Sequence, residues 1–111
     1  MSRPTARDRA AQAKIAADLG SVSFALPGTV LERRIRCGKP GCRCAADPPR
    51  LHGPYYQWTR KVNGKTETRL LTPAQMARYA SWFENAKRIR TLTSELEALS
   101  LDIAESAEDW G

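Results

Sequence analysis

The chain has 111 residues and 12.3 kDa, with 41% hydrophobic and 27% charged residues and a formal net charge of +6. This length allows one domain and excludes most multidomain enzymes, and the composition fits a folded soluble protein better than a disordered one. No apolar run approaches the roughly 18 residues of a membrane span, and the charged N-terminus is unlike a secretory leader. We therefore expect a cytoplasmic protein with reduced thiols and no contact with a membrane.

Residues 4–19 are predicted to form a helix, because Ala has the highest helix propensity and Gly20 is a natural stop. Pro4 suits the first turn. Four alanines at helical spacing form a weak apolar stripe that buries little area: Ala6, Ala10, Ala13 and Ala17. We bound this Ala-rich arm at 1–20, and residues 21–28 connect it to the next element.

Residues 29–36 alternate between apolar and charged side chains, which predicts a short strand with Leu31 and Ile35 on one face. Residues 37–54 contain all three cysteines, four prolines and the only histidine. This segment is predicted to be a loop that something other than packing holds in place.

A β-hairpin is predicted at Asn63-Gly64, because a type I′ turn requires positive φ at both central residues. The turn sets a register in which four pairs share one face: Val62–Lys65, Arg60–Glu67, Trp58–Arg69 and Tyr56–Leu71. Either face could be buried, and the apolar members of these pairs favour this one. Together with 29–36, the hairpin gives an antiparallel sheet of about three strands in a body bounded at 21–71.

A helix is predicted to start at Thr72, with Pro73 in its first turn and Gln75 completing a capping box. Its first half is expected to pack through Met76, Tyr79, Ala80, Phe83 and Ala86. We bound this helix at 72–104 and an acidic tail at 105–111. The predicted fold class is α+β, a small antiparallel sheet with an N-terminal helix and a long C-terminal helix.

The second half of the long helix carries a heptad seam, in which apolar residues are spaced 3-4-3-4: Ile89, Leu92, Leu96, Leu99 and Ile103. About 30 helical residues extend roughly 45 Å, which is more than so small a body can cover. The seam must therefore contact another helix. We favour a homodimer over antiparallel pairing with the arm at 1–20, because the alanines offer little area.

The most informative residues are Cys37, Cys42, Cys44 and His52, which lie within sixteen residues and match a tetrahedral Cys₃His zinc site. The cysteines at positions 42 and 44 are two apart, so in an extended segment both sulfurs point the same way. Zinc would supply the folding free energy that the small core lacks, on the order of 10 kcal/mol. The sheet is therefore expected to be stabilised by Zn²⁺.

The loop around these ligands fits a metal site. Gly38 and Gly41 can adopt positive φ and Pro40 fixes a bend, so backbone N–H groups can turn toward the thiolates. Lys39 and Arg43 favour the thiolate form and offset the net −1 charge of a zinc centre with three thiolates.

Three alternatives stay open at this point. The cysteines could be buried free thiols, or a disulfide with one spare thiol. Asp47, water or a group of a partner could replace His52 as the fourth ligand.

A site closed by four protein ligands has no open coordination position, and the chain has no second histidine for acid–base chemistry. We therefore expect no enzyme activity, no catalytic residues and no small-molecule substrate.

The run Cys-Gly-Lys-x-x-Cys-x-Cys, followed by His-Gly-Pro-Tyr-Tyr, an Asn-Gly hairpin and a helix opened by Thr-Pro-x-Gln, resembles an uncharacterised family of small bacterial and phage-borne proteins. Members are catalogued as a domain of unknown function and often lie near mobile elements. The resemblance covers about residues 29–100. It implies that the three cysteines and His52 act together, and it implies no activity.

Residues 29–71 carry ten Lys and Arg against three acids, with aromatic residues among them. Cations that contact phosphates and aromatic faces that contact bases are typical of nucleic-acid binding. We therefore expect a small dimeric regulator or accessory factor that binds nucleic acid, with DNA favoured, through these residues: Arg33, Arg34, Arg36, Lys39, Arg43, Arg60, Lys61, Lys65, Arg69, Tyr55 and Trp58.

Two other classes remain. The aromatic residues could instead pack the sheet onto its helix, and the protein would then be an interaction adaptor acting through the long helix and its acidic tail. A small zinc hydrolase or nuclease is the remote alternative, because the sequence offers no evident general base. The residues do not distinguish DNA from RNA.

Overall fold

The computed structural model describes residues 2–111 and contains two α-helices and three β-strands. In chain order they are α1 (Ala6–Gly20), β1 (Thr29–Ile35), β2 (His52–Val62), β3 (Lys65–Leu71) and α2 (Pro73–Glu108), with one 3₁₀ turn at Arg43–Ala45 before β2. This architecture confirms the predicted α+β class, with an N-terminal helix, a three-stranded sheet and a long C-terminal helix.

The sheet is antiparallel throughout, and β2 lies between β1 and β3. The hairpin between β2 and β3 has the register that the Asn63-Gly64 turn predicts, with Val62 opposite Lys65 and Trp58 opposite Arg69. Both turn residues have positive φ, 52° and 80°, as a type I′ turn requires.

The two faces of the sheet have different environments. The face that bears Tyr56, Trp58 and Leu71, here called the inner face, packs against the first turns of α2. The Trp58 ring meets the ring of Phe83 edge to face, with 5.6 Å between centroids. Leu71 and Phe83 are 7% and 5% exposed, so this contact is the core of the sheet. The predicted buried face is confirmed.

The start of α2 forms as predicted. The backbone N–H of Gln75 donates to Oγ1 of Thr72 at 3.1 Å, and the backbone N–H of Thr72 donates to Oε1 of Gln75 at 2.9 Å. The helix continues to Glu108, beyond the expected boundary at 104, because no residue breaks it earlier. Asp109 then has a φ of 56°, a left-handed conformation common after helix ends.

Helix α1 begins at Ala6 rather than Pro4, because Thr5 is its N-cap and forms a capping box with Asp8. The alanine stripe was expected to bury little area, and Ala6, Ala10, Ala13 and Ala17 are all exposed. The buried residues of α1 are Asp8 and Ile15. A charged residue occupies this face because Arg3 neutralises it, with 2.9 Å between Nη2 of Arg3 and Oδ1 of Asp8.

Helix α1 lies antiparallel to the second half of α2. At one end Arg3 pairs with Asp102 at 3.0 Å, and at the other end Asp18 pairs with Arg88 at 3.8 Å. Leu92 of the seam is 6% exposed. The other seam residues, Ile89, Leu96, Leu99 and Ile103, are half-buried. The pairing within one chain, which the sequence left open, is therefore the arrangement observed. The homodimer expected at this seam stays a prediction, since four of its five residues remain partly exposed beside α1.

The chain divides into two compact units. One is Leu26–Phe83, here called the sheet unit, and the other joins the N-terminal segment through Ala25 to Glu84–Gly111, here called the helical unit. The sheet unit carries eleven Lys and Arg against three acids, a balance of +8, whereas the helical unit carries seven against nine.

Among the described residues, neither helix is apolar over enough of its length to cross a bilayer.

Candidate metal centre

Cys37, Cys42, Cys44 and His52 come together at one end of the sheet unit. One ligand atom from each lies within 4.8 Å of the other three. The sulfurs of Cys37 and Cys44 are 3.5 Å apart, and Nε2 of His52 is 3.1 Å from the sulfur of Cys42. These residues, here called the Cys–His cluster, can therefore hold one metal ion.

The distances suit a tetrahedral ion. With metal–sulfur bonds of about 2.3 Å and metal–nitrogen bonds of about 2.0 Å, a tetrahedron has edges of about 3.8 Å between sulfurs and about 3.5 Å between sulfur and nitrogen. The two closest pairs are slightly shorter than these edges. All four atoms lie within 4.8 Å of one another, so the widest separation exceeds these edges by at most about 1 Å. Three thiolates and one imidazole form a donor set typical of structural sites.

A tight turn and a 3₁₀ turn place the central cysteines. Pro40 and Gly41 occupy the central positions of a β-turn that the Cys42 amide closes on the Lys39 carbonyl at 3.3 Å. Gly41 has a φ of 75°, which a type II turn requires at that position. The predicted bend is confirmed. The expected extended conformation after Cys42 is wrong, because Cys44 lies in the 3₁₀ turn, where Ala45 donates to the Cys42 carbonyl at 3.0 Å.

A β-bulge places His52. Arg33 pairs with Tyr55 but Ile35 pairs with His52, so Gly53 and Pro54 together lie opposite a single residue of β1. Gly53 has a φ of 124°, and a Cβ there would lie 2.8 Å from the Arg33 carbonyl oxygen. The His-Gly-Pro-Tyr-Tyr run therefore requires its glycine.

Backbone donors favour the charged form of one buried sulfur. The Cys37 amide donates to the sulfur of Cys44 at 3.3 Å and holds the pKa of that thiol below its ordinary value. For Cys37, a hydrogen bond from the Lys39 backbone lowers the pKa, but the neighbouring sulfurs of Cys44 and Cys42 outweigh it and the net shift is upward. Cys44 is 1% exposed, so a metal at this centre would lie partly out of water.

The predicted nucleic-acid-binding residues divide into three groups. Arg33, Tyr55 and Lys61 share the sheet face opposite the inner face, here called the outer face. The second group, on the inner face, consists of Trp58, Arg60, Lys65 and Arg69. The third surrounds the metal loop and consists of Arg34, Arg36, Lys39 and Arg43, all exposed. The structure therefore does not bring the whole predicted set to one surface.

Trp58 packs the sheet against α2, which is the alternative to base stacking that the sequence left open. Its indole N–H donates to the Pro27 carbonyl at 2.8 Å, and one ring edge faces Phe83. The Arg60 guanidinium lies over the same ring at 5.2 Å and within 3.7 Å of Glu67. Trp58 and Arg60 therefore stabilise the inner face and are poorly placed to contact a ligand.

Sequence reasoning missed an apolar patch on the outer face, formed by Leu31, Ile35, Tyr55 and Leu70. Three of these residues, Ile35, Tyr55 and Leu70, line a shallow depression of about 280 Å³ together with Arg33 and Gln57. The sequence of the strands could have indicated this patch. Their apolar residues lie on both faces of the sheet, and one helix covers only one face.

A family model described as a domain of unknown function, DUF6788, matches residues 6–80 of the chain. A search of curated proteins gave no match, and a search of solved structures gave none.

Proposed function

The chain belongs to the DUF6788 family, whose function is unknown, and we propose that it is a zinc-stabilised nucleic-acid-binding protein with DNA as its ligand. The sheet unit binds the nucleic acid and Zn²⁺ holds its loop in place. The observation that carries this proposal is the concentration of unpaired cations in the sheet unit around the Cys–His cluster.

Zinc is the metal that the donor set favours. Thiolates select soft or borderline ions, and the cluster can supply the tetrahedral sphere that Zn²⁺ adopts with Cys and His. With four protein ligands the coordination sphere would be closed. We therefore propose a structural role for the ion and no enzyme activity, since water or substrate would have no position on the metal.

The charge of the sheet unit supports a polyanionic ligand. Of its eleven Lys and Arg, two form an ion pair within the described residues, Arg34 with Glu32 and Arg60 with Glu67, both at 3.7 Å. The remaining nine form no ion pair with a carboxylate of residues 2–111. A surface balance of +8 over 58 residues favours phosphate groups over a neutral partner.

The biological setting is part of the proposal. We place the protein in the cytoplasm, where thiols stay reduced and available to zinc. Its role would be that of a regulator or accessory factor. We propose a single chain as the functional unit instead of the expected homodimer, because α1 lies along the heptad seam and leaves its residues buried or half-buried. The adaptor hypothesis loses support for the same reason, since it relied on that seam being available.

The test is a binding titration with a fluorescently labelled DNA oligonucleotide at salt concentrations from ~50 to ~200 mM. We expect log Kd to rise linearly with log salt concentration. The double variant Arg36→Ala/Lys39→Ala should weaken binding by tenfold or more at ~50 mM salt. The matched control is Arg7→Ala/Arg90→Ala, which removes the same charge from exposed positions of the helical unit and should leave affinity within about twofold.

Negligible binding of the zinc-loaded protein to DNA and RNA at ~50 mM salt would overturn the proposal. Equal losses in the two double variants would overturn the assignment to the sheet unit.

A further inference from the structure

The outer face of the sheet is the largest feature that the proposed function leaves unexplained. Four large apolar side chains are exposed there, Leu31 by 57%, Leu70 by 62%, Ile35 by 40% and Tyr55 by 37%. Gln57 lies between Leu31 and Leu70 in the ladder, so these residues form one contiguous patch. Single exposed apolar residues are ordinary, but a contiguous patch on one face marks a binding surface.

The outer face carries no carboxylate on any of its three strands. The two acids of the strands, Glu32 and Glu67, lie opposite Tyr56 and Arg60 on the inner face. The outer face instead carries two cations, Arg33 and Lys61, and a row of hydroxyl groups on Thr29, Thr59, Thr66 and Thr68. Its ligand must therefore combine apolar surface with negative charge.

A second copy of the chain does not fit this requirement. Pairing two outer faces would bring together Arg33 and Lys61 of both copies, with no acid on either face to neutralise them. An acidic protein would supply charge but would leave the apolar patch to be matched separately. A nucleic acid with exposed bases supplies both properties, because flat apolar bases alternate with phosphates along one strand.

A duplex presents mainly phosphates and base edges, whereas an unpaired strand presents base faces. Tyr55 offers an aromatic ring for stacking, and aliphatic side chains surround it. Beside it, the Arg33 guanidinium donates to Oε1 of Gln57 at 2.9 Å, which ties the two side chains together on the outer face. The Gln57 amide N–H₂ and the remaining Arg33 donors make no hydrogen bond within residues 2–111 and can reach the edge of a base.

We propose that the outer face binds an unpaired strand of nucleic acid, with one base stacked on Tyr55 and its edge contacted by Arg33 and Gln57. This inference rests on the proposed function and names its ligand class as single-stranded nucleic acid. Lys61 contacts the phosphate backbone, and the cations of the metal loop extend the path of the strand. The inner-face residues take no part in the contact.

The experiment compares three probes of about 20 nucleotides by fluorescence anisotropy with the zinc-loaded full chain: a single-stranded oligo-dT, the oligo-U of the same length, and a DNA duplex. We expect the single strands to bind at least tenfold more tightly than the duplex. Tyr55→Ala should weaken single-strand binding by fivefold or more, since removal of one stacking contact typically has at least that effect. Tyr55→Phe should preserve binding, because the ring is retained.

Lys61→Ala tests the proposed phosphate contact, and Lys65→Ala is its matched control. Both residues are exposed cations near the hairpin turn, but Lys65 lies opposite Val62 on the inner face. Only the Lys61 variant should lose affinity and reduce the salt slope. Metal content and the thermal midpoint of each variant verify that it remains folded.

Each contrary outcome is separable from failure of the proposed function. Equal or tighter binding of the duplex would overturn the single-strand inference and leave nucleic-acid binding intact. Tyr55→Ala with unchanged affinity would overturn the role of the outer face. A dimer that Leu31→Ser/Leu70→Ser dissociates would assign the patch to self-association and overturn the inference. No binding to any probe would overturn both proposals.

Discussion

Gly53 lies so close to Arg33 across the strand pair that a Cβ built on the glycine would be 2.8 Å from the arginine carbonyl oxygen. The contact occurs at the bulge, one residue after His52. The position of the imidazole therefore depends on a residue without a side chain.

Gly53→Ala should disrupt the bulge and displace His52 from the cysteines. Both the φ of 124° and the approach to Arg33 oppose a side chain, so we expect zinc affinity to fall by at least tenfold. Competition with a chromophoric chelator measures this affinity. Gly20→Ala is the control, because nothing lies within 4 Å of its added Cβ and its affinity should not change. Equal zinc affinities in the two variants would show that the bulge does not position the imidazole.

Removing the metal should unfold the sheet unit. The loop of 36–51 contains little packed apolar surface apart from Cys44, so a chelator should abolish the fixed environment of Trp58, seen in the near-ultraviolet circular dichroism. Cys44→Ser should reproduce this loss, while Ala45→Ser, at the exposed neighbouring position, should not. Structural zinc contributes apparent stability on the order of 10 kcal/mol in small domains. A Cys44→Ser variant that kept one zinc per chain and an unchanged melting temperature would contradict the prediction.

Asp8 should make the stability of α1 depend on acid pH. Hydrogen bonds from the Arg3 side chain and from Thr5 hold the pKa of this carboxyl well below its ordinary value. A carboxyl with a lowered folded pKa stabilises the protein above its unfolded pKa of about 4, and the contribution is lost as pH falls through the folded value.

The measurement is the unfolding free energy of the wild type and Asp8→Asn as a function of pH. We expect the variant to be less stable at pH 7 and the difference to shrink steadily below about pH 4. Both proteins contain the same Cys–His cluster, so their difference isolates Asp8. Asp109→Asn removes an equal charge at an exposed position and is the matched control. A difference independent of pH would refute the assignment.

The coverage of the seam by α1 predicts a monomer. Sedimentation of the zinc-loaded chain should give a mass near 12.3 kDa, and twice that mass would restore the expected homodimer. Leu92→Ala should lower the free energy of unfolding by about 2–5 kcal/mol, since Leu92 is buried. Leu101→Ala, at an exposed position of the same helix, should cost less than about 0.5 kcal/mol.

The elements set by local interactions were the ones that sequence predicted well. The Asn63-Gly64 turn determines which residues of β2 and β3 face each other, so the register follows from two residues. The capping box at Thr72 and Gln75 is likewise contained within four residues. The four residues of the Cys–His cluster could be grouped because three cysteines and a histidine at such spacing match a known donor set for metals.

The features that depend on tertiary contacts were the ones that sequence missed. The buried position of Asp8 follows from an arginine that pairs with it, whereas hydrophobic periodicity pointed to the exposed alanines. The bulge at Gly53 depends on the backbone of another strand. Whether α1 or a second chain covers the seam depends on a comparison of buried areas that no periodicity supplies.

The Cys–His cluster joins the residues just after β1 to the first residue of β2. An ion held there would act like a covalent cross-link that closes a loop of about 15 residues, for which the entropy removed from the unfolded chain is worth about 3 kcal/mol. Part of the stabilisation would thus arise because the ion restricts the unfolded chain. In the unfolded chain, the ends of β1 and β2 would stay close together beside the ion, where the pairing of these strands begins.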